Sequence, residues 1–169
     1  MNELDGKKMF DTIMLSSGRS DIEYAASLIN AGEVVGMPTE TVYGLAADAL
    51  NEDAVKKIFA AKGRPQDNPL IVHLSGIDML DKYVRDVPDI AYKTAERFCP
   101  GAITMILPKR DIIPDVTSAG LDTVGIRIPY HKTARELIAA CGTPIAAPSA
   151  NLSGSPSPTT AMHVMNDMK

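Results

Sequence analysis

An α/β domain, with helices flanking a largely parallel or mixed sheet, is the fold this sequence predicts, and three observations predict it. Short β-rich runs alternate with amphipathic helical patterns along the whole chain. The 169 residues are 45% hydrophobic, enough for one domain with a real core and too few for two ordinary ones. No internal repeat and no low-complexity linker breaks the alternation.

Taken in order, Thr12 to Leu15 reads as a strand. Ile22, Ala25, Ala26 and Ile29 then recur at helical spacing, with Gly32 as a C-terminal stop. Val34 to Met37 is a buried strand. Asn51 is placed to cap the next helix, Glu52 and Asp53 suit its positive first turn, and Val55, Ile58 and Phe59 form its buried stripe until Gly63 ends it. Leu70 to Leu74 is another strand. Asp78 to Val84 and Asp89 to Phe98 read as helices, the second entered through Pro88 and closed at Pro100-Gly101. Ala102 to Leu107 and Val124 to Ile128 are strands, His131 to Ala140 is a helix ended by Gly142, and Pro144 to Ala147 is a strand. Thr159 or Thr160 is placed to cap a last helix through Met165.

Charge and cysteine usage narrow the function classes. A net charge of -4 argues against coating nucleic acid through a bulk field, so any RNA contact must be local. Met1 to Phe10 has no apolar signal core, and no run approaches the roughly 18 apolar residues of a membrane span. A cytoplasmic protein without membrane contact is expected. Cys99 and Cys141 are isolated, with no CxxC and no His at metal spacing, which points to buried thiols and to no metal site.

Two polar clusters carry the chemistry. The first runs from Pro38-Thr39-Glu40-Thr41-Val42-Tyr43-Gly44 to Lys62-Gly63-Arg64-Pro65 and Asn68-Pro69; the second is Ser149-Ala150-Asn151 after an apolar run. Loops at the rim of a sheet are where α/β proteins place ligands, and two facing loops make a nucleotide-sized site. Neither GxxxxGK[ST] nor GxGxxG occurs, so side chains must hold any phosphates. Lys62 and Arg64, two apart where a helix gives way to extended chain, can straddle a polyphosphate, Arg with a fork and Lys as a mobile point charge. Thr39, Thr41 and Tyr43 can equally be turn formers. His73, alone in an apolar strand, reads first as a hydrogen-bonded core residue. Arg127 stands in the apolar run Val124 to Ile128, where an unpaired charge costs several kcal/mol. It needs an anion, either a substrate carboxylate or an internal Asp or Glu.

These motifs, in order, resemble the threonylcarbamoyl-AMP synthases, or YrdC-like proteins. The likeness runs from Ser20 to Thr160 and rests on PTETVYGL (38 to 45), KGRPQDNPL (62 to 70), Pro100-Gly101, TVGIRIP (123 to 129) and APSANLSG (147 to 154). The resemblance implies a YrdC-like twisted mixed sheet with flanking helices and a ligand cleft, in a single domain over 1–169 that is incomplete at its C-terminal end. It also implies a nucleotidyltransferase that joins L-threonine, bicarbonate and ATP, with Mg2+ accompanying the ATP, into L-threonylcarbamoyladenylate and pyrophosphate for tRNA modification. Thr41, His73 and Arg127 take the threonine role, Arg127 on the carboxylate, with the Ala147 backbone and Tyr43 as walls. Arg64, Asn68, Thr123, Ser149 and Ser157 take the ATP, Asn151 fixes its loop, and Lys62 joins Arg64 as the catalytic pair at the phosphates. Glu40 falls where the family carries Asp or Glu. Partners implied are tRNA, double-stranded RNA binding included, or downstream threonylcarbamoyl-transfer proteins. Two alternatives stand beside this: a non-catalytic RNA or nucleotide-binding module, and a carbamoyl-adenylate domain using carbamoyl phosphate.

Overall fold

The structure, a computed structural model, describes residues 12–168. Four sequence signals set helix ends as predicted. Asn51 accepts from the amides of Asp53 and Ala54 and so caps α2 (Glu52–Lys62), and Gly63 closes the same helix in the left-handed region at φ 58°. Gly142 closes α6 (Lys132–Cys141) in the same way, and Thr160 accepts from the amide of His163 at the start of α7 (Ala161–Met168). The remaining helices are α1 (Arg19–Asn30), α3 (Leu80–Tyr83), α4 (Asp89–Phe98) and α5 (Asp115–Ser118).

Six strands form one sheet: β1 (Val35–Met37), β2 (Gly44–Asp48), β3 (Ile71–His73), β4 (Met105–Pro108), β5 (Thr123–Arg127) and β6 (Ile145–Ala146). Their order is β1-β2-β6-β3-β5-β4. Only β3 and β5 run parallel, so the sheet is mixed and mostly antiparallel, not largely parallel. The reason is β2, which the sequence hides. Gly44-Leu45-Ala46-Ala47-Asp48 has little intrinsic strand preference, yet it pairs on both sides and inserts two antiparallel ladders. Small residues are required there, since a Cβ on Gly44 would lie 3.0 Å from the Cβ of Ala147.

Two other expectations change. Thr12 to Leu15 is irregular, with no ladder partner; Thr12 instead donates to the carbonyl of Met168 at 3.2 Å. The helix expected over Asp78 to Val84 divides into a 3-10 turn (Ile77–Met79) and the one-turn α3.

The sheet has an apolar layer on each face. Leu45, Ala47, Val72, Val124, Ile126 and Ala146 point to the larger core, with Val55, Ile58 and Phe59 of α2 and Ala91 and Ala95 of α4. Ala46 and Ile145 point the other way, into a smaller core with α1 and α6. Because strand side chains alternate, Ile71 and His73 oppose Val72, and Thr123, Gly125 and Arg127 oppose Val124 and Ile126. His73 is paired directly with Ile145, so these residues share the face that α1 and α6 cover. That smaller core draws on β1, β2 and β6 but on neither β3 nor β5. On that face Ile71, His73 and Arg127 border a cavity instead.

Candidate functional site

The cavity, of about 260 Å³, lies where this face meets three loops. His73 and Arg127 are opposed in the parallel β3–β5 ladder and form one end of its floor. The β1–β2 loop arches over them. Thr39 Oγ1 accepts from the amides of Thr41 and Val42, both at 3.2 Å, and bonds to the carbonyl of Val42 at 2.6 Å, which fixes the turn. That turn delivers Thr41 Oγ1 to 3.0 Å from Arg127 Nη2.

Arg127 finds its anion inside the protein. Glu40 Oε1 accepts from Nη2 at 2.6 Å, and Glu40 Oε2 accepts from the amide of Tyr130 at 3.0 Å. The two side chains are 12% and 18% exposed, so the pair is largely shielded from water. Burial acts to raise the Glu40 carboxyl, but hydrogen bonds from Arg127 and the backbone, with the Arg127 charge, hold it below the ordinary 4.5. His73 is buried, and burial followed by the Arg127 charge pushes it down to about 4, against the opposing carbonyls of Ile71 and Ile145. The ring is neutral at pH 7 and can donate and accept. His73 Nδ1 and Arg127 Nε are both buried without a partner, so this end retains polar atoms for a ligand.

The other end is made by the segment after α2 and the loop after β6. Arg64 lines the cavity, half-buried, with its Nε unpartnered, and Ser149 faces the same space. Lys62 does not line it. Its side chain is 3% exposed, and Nζ donates to the carbonyls of Ser149 and Asn151, the latter at 2.6 Å. Burial, then the Arg64 charge, pushes the ammonium down to about 8, with Asp167 opposing. Lys62 is thus a strut that clamps the Ser149–Asn151 loop to the end of α2. Asn151 completes the loop by donating Nδ2 to the carbonyls of Leu152 and Ser155, both at 2.8 Å.

Of the residues singled out by sequence, the cavity gathers Thr41, Arg64, His73, Arg127, Ala147 and Ser149. Thr123 is on the same face of β5 two residues beyond Gly125, so Arg127, Gly125 and Thr123 mark a track roughly 14 Å long at about 3.4 Å per residue. Asn68 and Ser157 lie on exposed loops outside the cavity wall. Tyr43 faces a separate apolar groove, while its backbone bonds to the carbonyl of Pro158 and the amide of Ala150. Glu40, the internal partner of Arg127, is the residue that sequence reasoning left unassigned. The signal for it existed: an arginine in an apolar strand requires a carboxylate, and Glu40 is the acid carried within the first polar cluster. Among the described residues, no group of three or more His, Cys, Asp or Glu side chains converges as a metal cage. No helix among them is long and apolar enough to cross a membrane.

Comparison with known proteins bears on what such a cavity holds. The sequence model of the Sua5/YciO/YrdC family, described as "telomere recombination", matches residues 27–169. A threonylcarbamoyl-AMP synthase of Bacillus subtilis is 55% identical over 155 residues, covering 91% of this chain and 45% of its own length. One from Pyrococcus abyssi is 53% identical over 146 residues, covering 86% and 43%. The crystal structure of P. abyssi Sua5 complexed with L-threonine superposes with a TM-score of 0.86 at 52% identity, over 88% of this chain and 44% of that one. The chain spans less than half the length of these relatives.

Proposed function

Since this chain belongs to the Sua5/YciO/YrdC family, we propose that it carries the synthase site that makes L-threonylcarbamoyladenylate from L-threonine, bicarbonate and ATP. The observation that carries this reading is the meeting of Thr41, His73 and Arg127 with Arg64 and Ser149 in one cavity. One end suits a carboxylate beside a neutral hydrogen-bonding ring; the other suits phosphate.

In this reading the threonine carboxylate lies against the Arg127 guanidinium, which Glu40 and Thr41 engage through Nη2 alone. The threonine amine and bicarbonate give the carbamate with loss of water. A carbamate oxygen attacks the α-phosphorus of ATP, the bond to the β-phosphate oxygen breaks, and pyrophosphate departs. No protein nucleophile is needed; positioning two anions and stabilising the leaving pyrophosphate supply the catalysis. Arg64 is the charge for that second task, and ATP enters as its magnesium complex with the ion on the phosphates. Ser149, held from behind by Lys62, orients the nucleotide, whose far end reaches along the track toward Thr123. The adenylate is then consumed by a reaction that carries the threonylcarbamoyl group to tRNA.

Pyrophosphate release measured with and without L-threonine tests this. Threonine-dependent release supports the synthase. Release indifferent to threonine supports carbamoyl-phosphate chemistry, and no release under either condition supports a binding module.

A further inference from the structure

The geometry points to Glu40 as a positioning residue that orders Arg127 for the substrate carboxylate without touching the substrate itself. Glu40 is not part of the cavity wall, whereas both groups it organises, Thr41 and Arg127, are. Its carboxylate is held at two points, by Arg127 Nη2 at 2.6 Å and by the Tyr130 amide at 3.0 Å. The Tyr130 bond ties it to backbone at the entrance to α6, so Glu40 is a fixed post.

The bonds to Glu40 and Thr41 use both N–H groups of Nη2 and leave Nε and Nη1 as separate donors for other acceptors. Nε is buried and unpartnered, as expected for a donor whose acceptor is an incoming ligand. A long, rotamer-rich side chain ordered before binding loses less entropy on binding, so pre-ordering raises affinity. Charge alone predicts the opposite. A carboxylate against Arg127 cancels the field that attracts an anion, so if Glu40 acted only through charge, its removal would strengthen carboxylate binding.

The inference rests on the reading that this cavity takes L-threonine, and the test separates the two. Calorimetric titration of the parent, E40A and E40Q with L-threonine, and with L-threoninol, which lacks the carboxylate, is run beside 15N spectra of the Arg127 guanidinium without ligand. A positioning role makes E40A roughly tenfold weaker for threonine with threoninol unchanged, the size expected for freezing one long side chain and aligning a charge-assisted pair. E40Q, which keeps an oxygen to accept from Nη2, recovers part of the loss and guards against misfolding of E40A. The ligand-free spectra should show Nη2 rotation slowed in the parent and averaged in E40A. Threonine binding that is unchanged or tighter in E40A, or threoninol weakened equally, overturns the inference. A parent that binds no threonine, with Nη2 still slowed, keeps the positioning of Arg127 and defeats the threonine reading. Nη2 equally mobile in parent and E40A defeats the positioning itself.

Discussion

Under the proposed function, the two ends of the cavity hold their anions in opposite ways. At the Arg127 end the cation stands on a strand, its partner Glu40 is supplied by the protein, and the overlying turn is locked by Thr39. At the Arg64 end the cation follows a helix on a loop and makes no ion pair among the described residues, and the buried Lys62 faces backbone carbonyls. A single carboxylate carries one charge and a definite plane, so its site gains from fixed, directed donors even when their charge is already balanced. The polyphosphate of the proposed reaction, with its metal ion, carries several charges that move as the reaction proceeds, so a cation without an internal counter-charge suits it better.

Lys62 is where this contrast breaks most readily. Lys62→Met leaves the carbonyls of Ser149 and Asn151 buried without a donor, at about 1 to 3 kcal/mol each. The folded state should lose roughly 2 to 6 kcal/mol in urea unfolding, and nucleotide affinity should fall with the loop. Ser149→Ala added to Lys62→Met should then cost little more nucleotide affinity than Lys62→Met alone. Wild-type stability combined with lost nucleotide binding would make Lys62 a direct phosphate ligand, and both cations of that end would face the ligand.

At the Arg127 end, acid is the sharper probe. His73 is held at about 4 in the folded protein against an ordinary 6.5, so as pH falls the unfolded chain takes up the proton first. The stability this ring contributes above pH 6.5 is lost progressively as pH drops through 4. At 1.36 kcal/mol per unit the loss is about 3 kcal/mol. His73→Gln should flatten the profile between pH 6.5 and 4, followed by circular dichroism in urea. A parallel profile for the two proteins would mean that the ring finds a compensating partner when protonated.

Arg64 separates the two ends by ligand. Arg64→Ala removes a charge-assisted donor to phosphate, at about 1.5 to 3 kcal/mol, or roughly ten- to 150-fold in ATP affinity. Threonine affinity should change less than twofold. Titration with a non-hydrolysable ATP analogue and with threonine decides it, and equal losses would make Arg64 a structural residue.

How much of this was legible in sequence follows the same division. The helix ends at Asn51, Gly63 and Gly142 could be read because caps and left-handed stops act within a few residues. Strand β2 could not, because its Gly and Ala residues carry little strand signal and Gly44 is required by Ala147, a contact made from about a hundred residues away. A mixed sheet was expected and is found, but without β2 its antiparallel majority could not be read. Arg127 announced that it needed an anion, since a charge in an apolar strand is costly, but only the folding of the β1–β2 loop over β5 brings Glu40 to it. Lys62 looked like a phosphate ligand because sequence shows its charge and not which way it points. Asn68 and Ser157 remain exposed in the structure, and their assignment rests on resemblance.

The smallest effect tests whether the Arg127 end owes its order to local turn chemistry or to the ion pair alone. Thr39 Oγ1 accepts from two amides and bonds to the Val42 carbonyl, and among the described residues no other side chain serves those groups. Thr39→Val keeps the shape and removes the hydroxyl, so stability should fall by about 1 kcal/mol, the net worth of one intramolecular hydrogen bond set against partial rescue by water. Threonine affinity should fall several-fold as Thr41 Oγ1 drifts from Arg127, while ATP affinity stays level. Thr39→Ser, which retains the hydroxyl, should restore most of both. If Thr39→Val matches the parent in threonine binding while E40A does not, the order of this end comes from the Glu40–Arg127 pair alone, and the turn serves only to close the chain between β1 and β2.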